Sequence, residues 1–338
     1  MNALSADLAA AFRGRRVLVT GGLGFIGSNL ARELVAAGST VTLIDSLMPT
    51  HGGTLANVAG IENDVEVHEL DVRDTERLHA HLLDKDVLFN LAGQTSHLDS
   101  MSDPRTDLEI NCTAQLSLLE ACRADNPGLR IVFAGTRQIY GKPRYLPVDE
   151  AHPIDPVDVN GINKTAGEWY HLLYGRVYGL PVTVLRLTNT YGPRMRVRDA
   201  RQTFLGLWIK QALRGEELLV FGDGRQRRDF SYVDDVVRAL CLAATSPAAL
   251  GEVFNVGGEG NVSLAETAEL VVRLAGSGSH RLVPFPDDRK AIDIGDYYAD
   301  DTRLRAALSW APQVGLEEGL ATTLDFYRVH GEAYWGDE

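Results

Sequence analysis

The stretch "RRVLVTGGLGFIGSNLARELVAAG", residues 15 to 38, admits few folds. A short β-branched run passes through Gly21, Gly24 and Gly27 into a segment with helical apolar spacing, closed by Gly38. Glycines at that spacing permit a tight turn and bring backbone close to a pyrophosphate, which the free N–H groups of the helix start then bind. Phe25 and Ile26 lie on the same turn and belong to the expected cradle. The next apolar run, "TVTLID", ends in Asp45, eighteen residues after Gly27 (45 − 27). A carboxylate there accepts both hydroxyls of an adenosine ribose and repels a 2′-phosphate. No arginine or lysine follows Asp45 closely, so the pattern specifies NAD over NADP.

Further along, strands and helices alternate. "VEVHELDV", "DVLFNLAG", "LRIVFAGT" and "LPVTVLRLTNTYG" read as the third to sixth strands. "TDLEINCTAQLSLLEACRAD" is a helix before the fifth, and another opens near residue 160. Such alternation implies right-handed crossovers and a parallel sheet covered on both faces. The expected fold is α/β: a Rossmann-type doubly wound parallel sheet over residues 1–185, interleaved with a smaller mixed α/β C-terminal lobe over 186–338. Asp71 and Val72, ending the third strand, can meet the adenine edge. The loop "NLAGQTSH" puts Leu91 and Ala92 at the C-terminal sheet edge, where ligands bind.

Composition excludes more than it identifies. With 338 residues, 45% hydrophobic and a net charge of −13, the chain suits a soluble enzyme and argues against nucleic acid or an anionic membrane as partner. Cys112, Cys122 and Cys241 form no CxxC pair, which suits a reducing compartment and no metal site. The N-terminal "MNALSADLAAAFRGRR" lacks the apolar run of a secretory signal, and no segment approaches a membrane span. The expectation is a cytoplasmic protein.

The set "TGGLGFIG", "DVRD", "NLAGQ", "FAGTRQIYG", "NGINK", "RLTNTYGP" and "GDGRQRRDFSYVDD" resembles the extended short-chain dehydrogenase/reductase family, and within it the nucleotide-sugar epimerases and dehydratases. The resemblance runs from about residue 15 to 315. It implies tightly bound NAD, a nucleoside diphosphate sugar as substrate, and a homodimer formed through the helices near 107–124 and 160–178.

The resemblance also implies a catalytic set of a hydroxyl residue, a tyrosine and a lysine, the last two in YxxxK spacing. Thr136 matches the hydroxyl position and Lys164 the lysine, but the tyrosine position holds Asn160. An amide hydrogen-bonds without titrating, so it cannot take a sugar hydroxyl proton. Three readings stay open: another base, NAD chemistry without the usual step, or a non-catalytic binding protein. Lys164 acting through water with Thr136 is one substitute base; Tyr140 and His97 are the others, the first read as packing and the second as a surface loop residue. Family dehydratases carry an acid pair after the threonine, where this chain has Arg137 and Gln138, so an epimerase is expected over a 4,6-dehydratase, with a dehydratase or decarboxylase of the same family as the alternative. The resemblance assigns Gln94, Arg137, Asn189, Arg228 and Arg289 to the substrate, the arginines suiting phosphate geometry.

Overall fold

The computed structural model describes residues 4–336; the first three residues of the N-terminal stretch read for a signal lie outside them. Strands β1 (Arg16–Thr20), β2 (Thr40–Asp45), β3 (Val65–Glu69), β4 (Val87–Asn90), β5 (Arg130–Thr136) and β6 (Val182–Leu187) are the expected runs. With Val253–Val256 they make a seven-stranded sheet in the order Val253–Val256, β6, β5, β4, β1, β2, β3. Every pairing in it is parallel. β4 and β6 are buried along their whole length, as strands covered on both faces must be. Each fully buried Val, Leu or Phe there contributes about 1.5–3 kcal/mol.

The order reverses between β1 and β4, and the crevice outside their carboxyl ends is where such sheets bind ligands. Helix Phe25–Ala36 starts at that crevice, with Gly24 at its N-cap and no side chain capping it. Its first N–H groups therefore remain available to an anion.

Two elements depart from the sequence reading. The sixth strand stops at Leu187, and Asn189–Tyr191 instead pairs with Phe230–Tyr232 in the second lobe. The helix expected over 106–125 is Pro104–Leu108 and Ala114–Asp125 joined by a π turn at Glu109–Thr113. A π turn adds a residue to the helical circuit and redirects the side chains on it, here Asn111 toward the Gln94 carbonyl at 3.0 Å.

Beyond β6 the chain builds short pairs, including Glu217–Phe221 with Ser279–Val283 and Arg227–Arg228 with Val262–Ser263. It also returns to the large sheet: Val253–Val256 extends that sheet beside β6. Helix Val233–Thr245 packs against β5 and β6 and is buried over most of its length. The lobe and the sheet thus share one hydrophobic cluster, running from Phe12 and Val19 to Trp208, Leu240 and Tyr327.

Candidate active site

The glycine turn is tight because the backbone leaves no room. A side chain on Gly27 would collide with the Gly21 carbonyl and lie 2.9 Å from the Gly22 Cα. Asp45 stands beside this turn, accepting N–H bonds from Leu23 at 3.1 Å and Leu47 at 3.0 Å. Burial pushes its carboxyl up, while the N–H groups of Leu47, Leu23 and Gly24 favour its charge.

One cleft of about 490 Å³ runs from this turn across the sheet edge into the second lobe. Its wall includes Gly21, Gly24, Phe25, Ile26, Gly27, Asp45, Asp71, Val72, Leu91 and Ala92, all expected at a dinucleotide. Farther along it includes Thr136, Arg137, Asn160, Lys164, Asn189, Arg228 and Arg289. Gln94 is the exception: it is buried behind the wall, its amide donating to the Ser96 carbonyl at 3.0 Å. Its backbone carbonyl accepts from Asn111 at 3.0 Å and from Asn160 at 2.8 Å.

Helix Val159–Tyr178 carries Asn160 and Lys164 and ends at Gly179 in the left-handed conformation. Its rotation is locked from the sheet side. Glu168, one turn beyond Lys164, pairs with Arg186 of β6 at 2.5 Å, and Arg186 donates to the Tyr140 hydroxyl at 2.6 Å. Tyr140 is fully buried, and burial pushes its phenol up to about 12. It therefore serves packing and cannot accept a proton near neutral pH.

Lys164 lies deep in the wall. Gly93 lies opposite it, and a side chain there would have to push Nζ and Asn111 Oδ1 aside. Nζ also sits 5.5 Å from the Phe133 ring centroid. Burial lowers the amine to about 8, opposed by the charge of Asp107. Asn160 is held just as firmly: its Nδ2 donates to the Gln94 carbonyl at 2.8 Å and to Asp107 Oδ2 at 3.0 Å. Asn163 donates to the other oxygen, Asp107 Oδ1, at 2.8 Å. Two amides of one helix thus satisfy a buried carboxylate, which holds Asn160 in the cleft wall.

At the far end of the cleft stand two buried guanidinium groups. Arg137 donates to Asn189 Oδ1 at 3.2 Å and lies over the Tyr297 ring, and its Nη1 has no partner among the described residues. Burial lowers the Arg137 pKa, against the nearby Tyr297 and Asp229. Arg228 donates to the Gly295 carbonyl at 2.5 Å, and burial, then repulsion from Arg137, lowers its guanidinium to about 10. Asp229 and Asp293 lie near both and favour their charge against this burial. Arg289 lies over the Phe221 ring at 5.3 Å, on the same cleft.

Sequence reasoning missed the partners of His97. The residue lines the cleft with its side chain 31% exposed, one ring nitrogen 2.5 Å from Asp158 and the other reached by Gln138. Asp158 is readable as a helix N-cap before "VNGINK", and it does accept the Gly161 N–H at 2.6 Å. Its partnership with a histidine 61 residues earlier leaves no local signal.

Residues 17–257 match the model of the NAD dependent epimerase/dehydratase family. The UDP-glucose 4-epimerase of Mycolicibacterium smegmatis is 34% identical over 317 residues, covering 93% of this chain and 98% of that protein. The UDP-glucuronic acid decarboxylase 1 of Xenopus tropicalis is 32% identical, covering 93% of this chain and 72% of that protein. Among solved structures, the dTDP-glucose 4,6-dehydratase DesIV of Streptomyces venezuelae, with NAD and TYD bound, superposes with a TM-score of 0.85 at 27% identity. It covers 94% of this chain and 98% of that one. An uncapped helix start on a glycine turn, a carboxylate ending the second strand and a match over most of the sheet lead to one assignment: the chain belongs to the NAD-dependent epimerase/dehydratase family, and its cofactor is NAD.

Proposed function

We propose that the protein is a nucleotide-sugar epimerase that inverts a sugar carbon through transient oxidation to a ketone. The observation that carries this reading is the single cleft that joins the dinucleotide cradle to two mutually repelling guanidinium groups, with Thr136 and Lys164 on the wall between. Bound NAD supplies a hydride acceptor and donor there. Helix Phe25–Ala36 and Asp45 hold the dinucleotide, and Lys164 stands on the same wall as its cationic neighbour. Arg137 and Arg228, with Asn189 between strand and lobe, suit a diphosphate, whose charge offsets their repulsion. Thr136 Oγ1 accepts the Gln138 N–H at 3.2 Å and keeps its own proton to offer a sugar oxygen. Asn160 orients without titrating.

Arg137 and Gln138 stand where dehydratases keep an acid pair, which favours epimerisation over 4,6-elimination. The three free cysteines support a reducing, cytoplasmic setting. Helix Val159–Tyr178 exposes Trp169, Leu173 and Val177, an apolar stripe that suits pairing with a second copy of the chain.

The test is product analysis across UDP-, dTDP-, GDP- and CDP-sugars, with the unaltered protein and the Lys164→Ala and Asn160→Ala variants. An inverted sugar from the unaltered protein, abolished in Lys164→Ala and partly retained in Asn160→Ala, supports the reading. A dehydrated or decarboxylated product replaces it with the alternative reaction. No product from any sugar favours a binding protein.

A further inference from the structure

A site that has exchanged its phenol for an amide still has to move a proton, and the family's usual base is missing. Lys164 is an awkward substitute: its Nζ is wedged against Gly93, and its charge is useful where it stands, beside the dinucleotide. Tyr140 is sealed in the core and its phenol is pushed up to about 12. A titratable group on the cleft wall is linked to Thr136 through Gln138, whose backbone N–H donates to Thr136 Oγ1 and whose side chain reaches that group. It is His97, the first residue of helix His97–Ser102.

We infer that His97, held by Asp158, is the general base and acid that replaces the missing tyrosine. This rests on the epimerase reading and names the group that handles its proton. The geometry is that of an oriented imidazole. Nδ1 lies 2.5 Å from Asp158 Oδ2, and the Asp158 side chain is only 3% exposed. Asp158 is itself fixed, because its other oxygen accepts the Gly161 N–H at 2.6 Å as the helix N-cap. A carboxylate so placed keeps the imidazole proton on Nδ1 and leaves a lone pair on Nε2. Gln138 confirms where that lone pair points: its Nε2 reaches His97 Nε2 as a donor, and Gln138 also lines the cleft. The amide occupies the place where a sugar hydroxyl would donate, on a flexible side chain that can yield it.

Burial works against the Asp158 charge, yet the hydrogen bond and charge of His97, the Gly161 N–H and Arg137 hold its carboxyl below the usual range. In the forward step the sugar O–H proton passes to His97 Nε2. Bound NAD would accept the C–H electron pair as hydride, leaving that carbon a ketone. On return the imidazolium gives the proton back as hydride re-enters from the other face. Asp158 neither gains nor loses a proton; it is a positioning residue that stabilises the imidazolium.

The test uses the NAD-loaded full chain with UDP-glucose as probe, and three variants. His97→Asn keeps a donor toward Asp158 but cannot titrate, and Asp158→Asn keeps an N-cap without the charge. The expected results are a loss of about 100-fold or more in kcat for His97→Asn, in the range that general acid–base catalysis supplies. KM, bound NAD and thermal stability should stay close to those of the unaltered protein. The acid limb of the rate profile, present in the unaltered protein because the base must be neutral, should vanish. Asp158→Asn should lose about 10-fold or more in kcat with KM close to that of the unaltered protein. Imidazole added to His97→Gly should restore part of the rate. Independently of turnover, the Nε2 resonance of His97 should move when UDP-glucose binds. Turnover by His97→Asn within about threefold of the unaltered protein, with the acid limb intact, overturns the dyad and leaves the epimerase reading standing. An unaltered protein inert toward the whole sugar panel removes the epimerase reading, and a His97 resonance indifferent to UDP-glucose overturns the dyad in either case.

Discussion

Replacing Lys164 with methionine should make the protein more stable and less active. The lysine amine is buried in the cleft wall, and burial lowers it from 10.5 to about 8. The charged form is therefore disfavoured in the fold by about 3 kcal/mol, taking roughly 1.4 kcal/mol per pH unit. The sign follows from proton counting. Between pH 8 and 10.5 the unfolded lysine keeps its proton while the folded one has lost it, so stability rises with pH across that window. Below pH 8 both states are charged and the whole penalty stands; above 10.5 it disappears. Methionine fills a similar volume without a charge. Lys164→Met should thus gain about 3 kcal/mol at pH 7, an advantage that shrinks by about 1.4 kcal/mol per pH unit above pH 8. Urea unfolding of NAD-free protein at pH 7, 8, 9 and 10 measures this, and product formation should fall to background. A variant less stable at pH 7, or a difference that does not change between pH 7 and 10, would refute the reasoning. Stability given up at a working residue is the expected mark of a site under functional constraint.

NAD should copurify and NADP should bind far worse; Asp45→Ala should weaken NAD and relax the discrimination, and equal affinity for both in the unaltered protein would contradict the role of Asp45. Arg228→Ala should weaken UDP-glucose binding by about tenfold to a hundredfold in calorimetry, as loss of a charge-assisted phosphate contact worth about 1.5–3 kcal/mol requires. Asn160→Tyr should not repair the site: it strips a donor from Asp107 Oδ2, which Asn160 reaches at 3.0 Å, and should lower stability by about 1–3 kcal/mol. Unchanged unfolding in that variant, or a gain in rate, would show that the amide is dispensable. Val177→Asp on the exposed helix stripe should convert a dimer to a monomer in light scattering, and an unchanged mass would remove that face from the interface.

What the sequence determined by itself was everything carried by local pattern. The glycine spacing, the strand that follows and its terminal Asp45 are neighbours along the chain, so periodicity and turn chemistry expose them directly. The alternation of strands and helices determined the parallel sheet for the same reason. That Asn160 stands four residues before Lys164 was equally plain. The tertiary structure decided what lies between distant segments. The strand after β6 belongs to the lobe because Asn189–Tyr191 finds its partner in Phe230–Tyr232, a pairing with no local trace. Gln94 faces away from the cleft because its loop carbonyl is claimed by Asn111 and Asn160. His97 reads in sequence as one polar residue on a loop; it becomes an oriented imidazole only when the helix beginning at Val159 brings the Asp158 carboxylate to it. A residue's type sets which protons it can hold, but its partners decide which nitrogen holds them, and those partners lie 41 and 61 residues away.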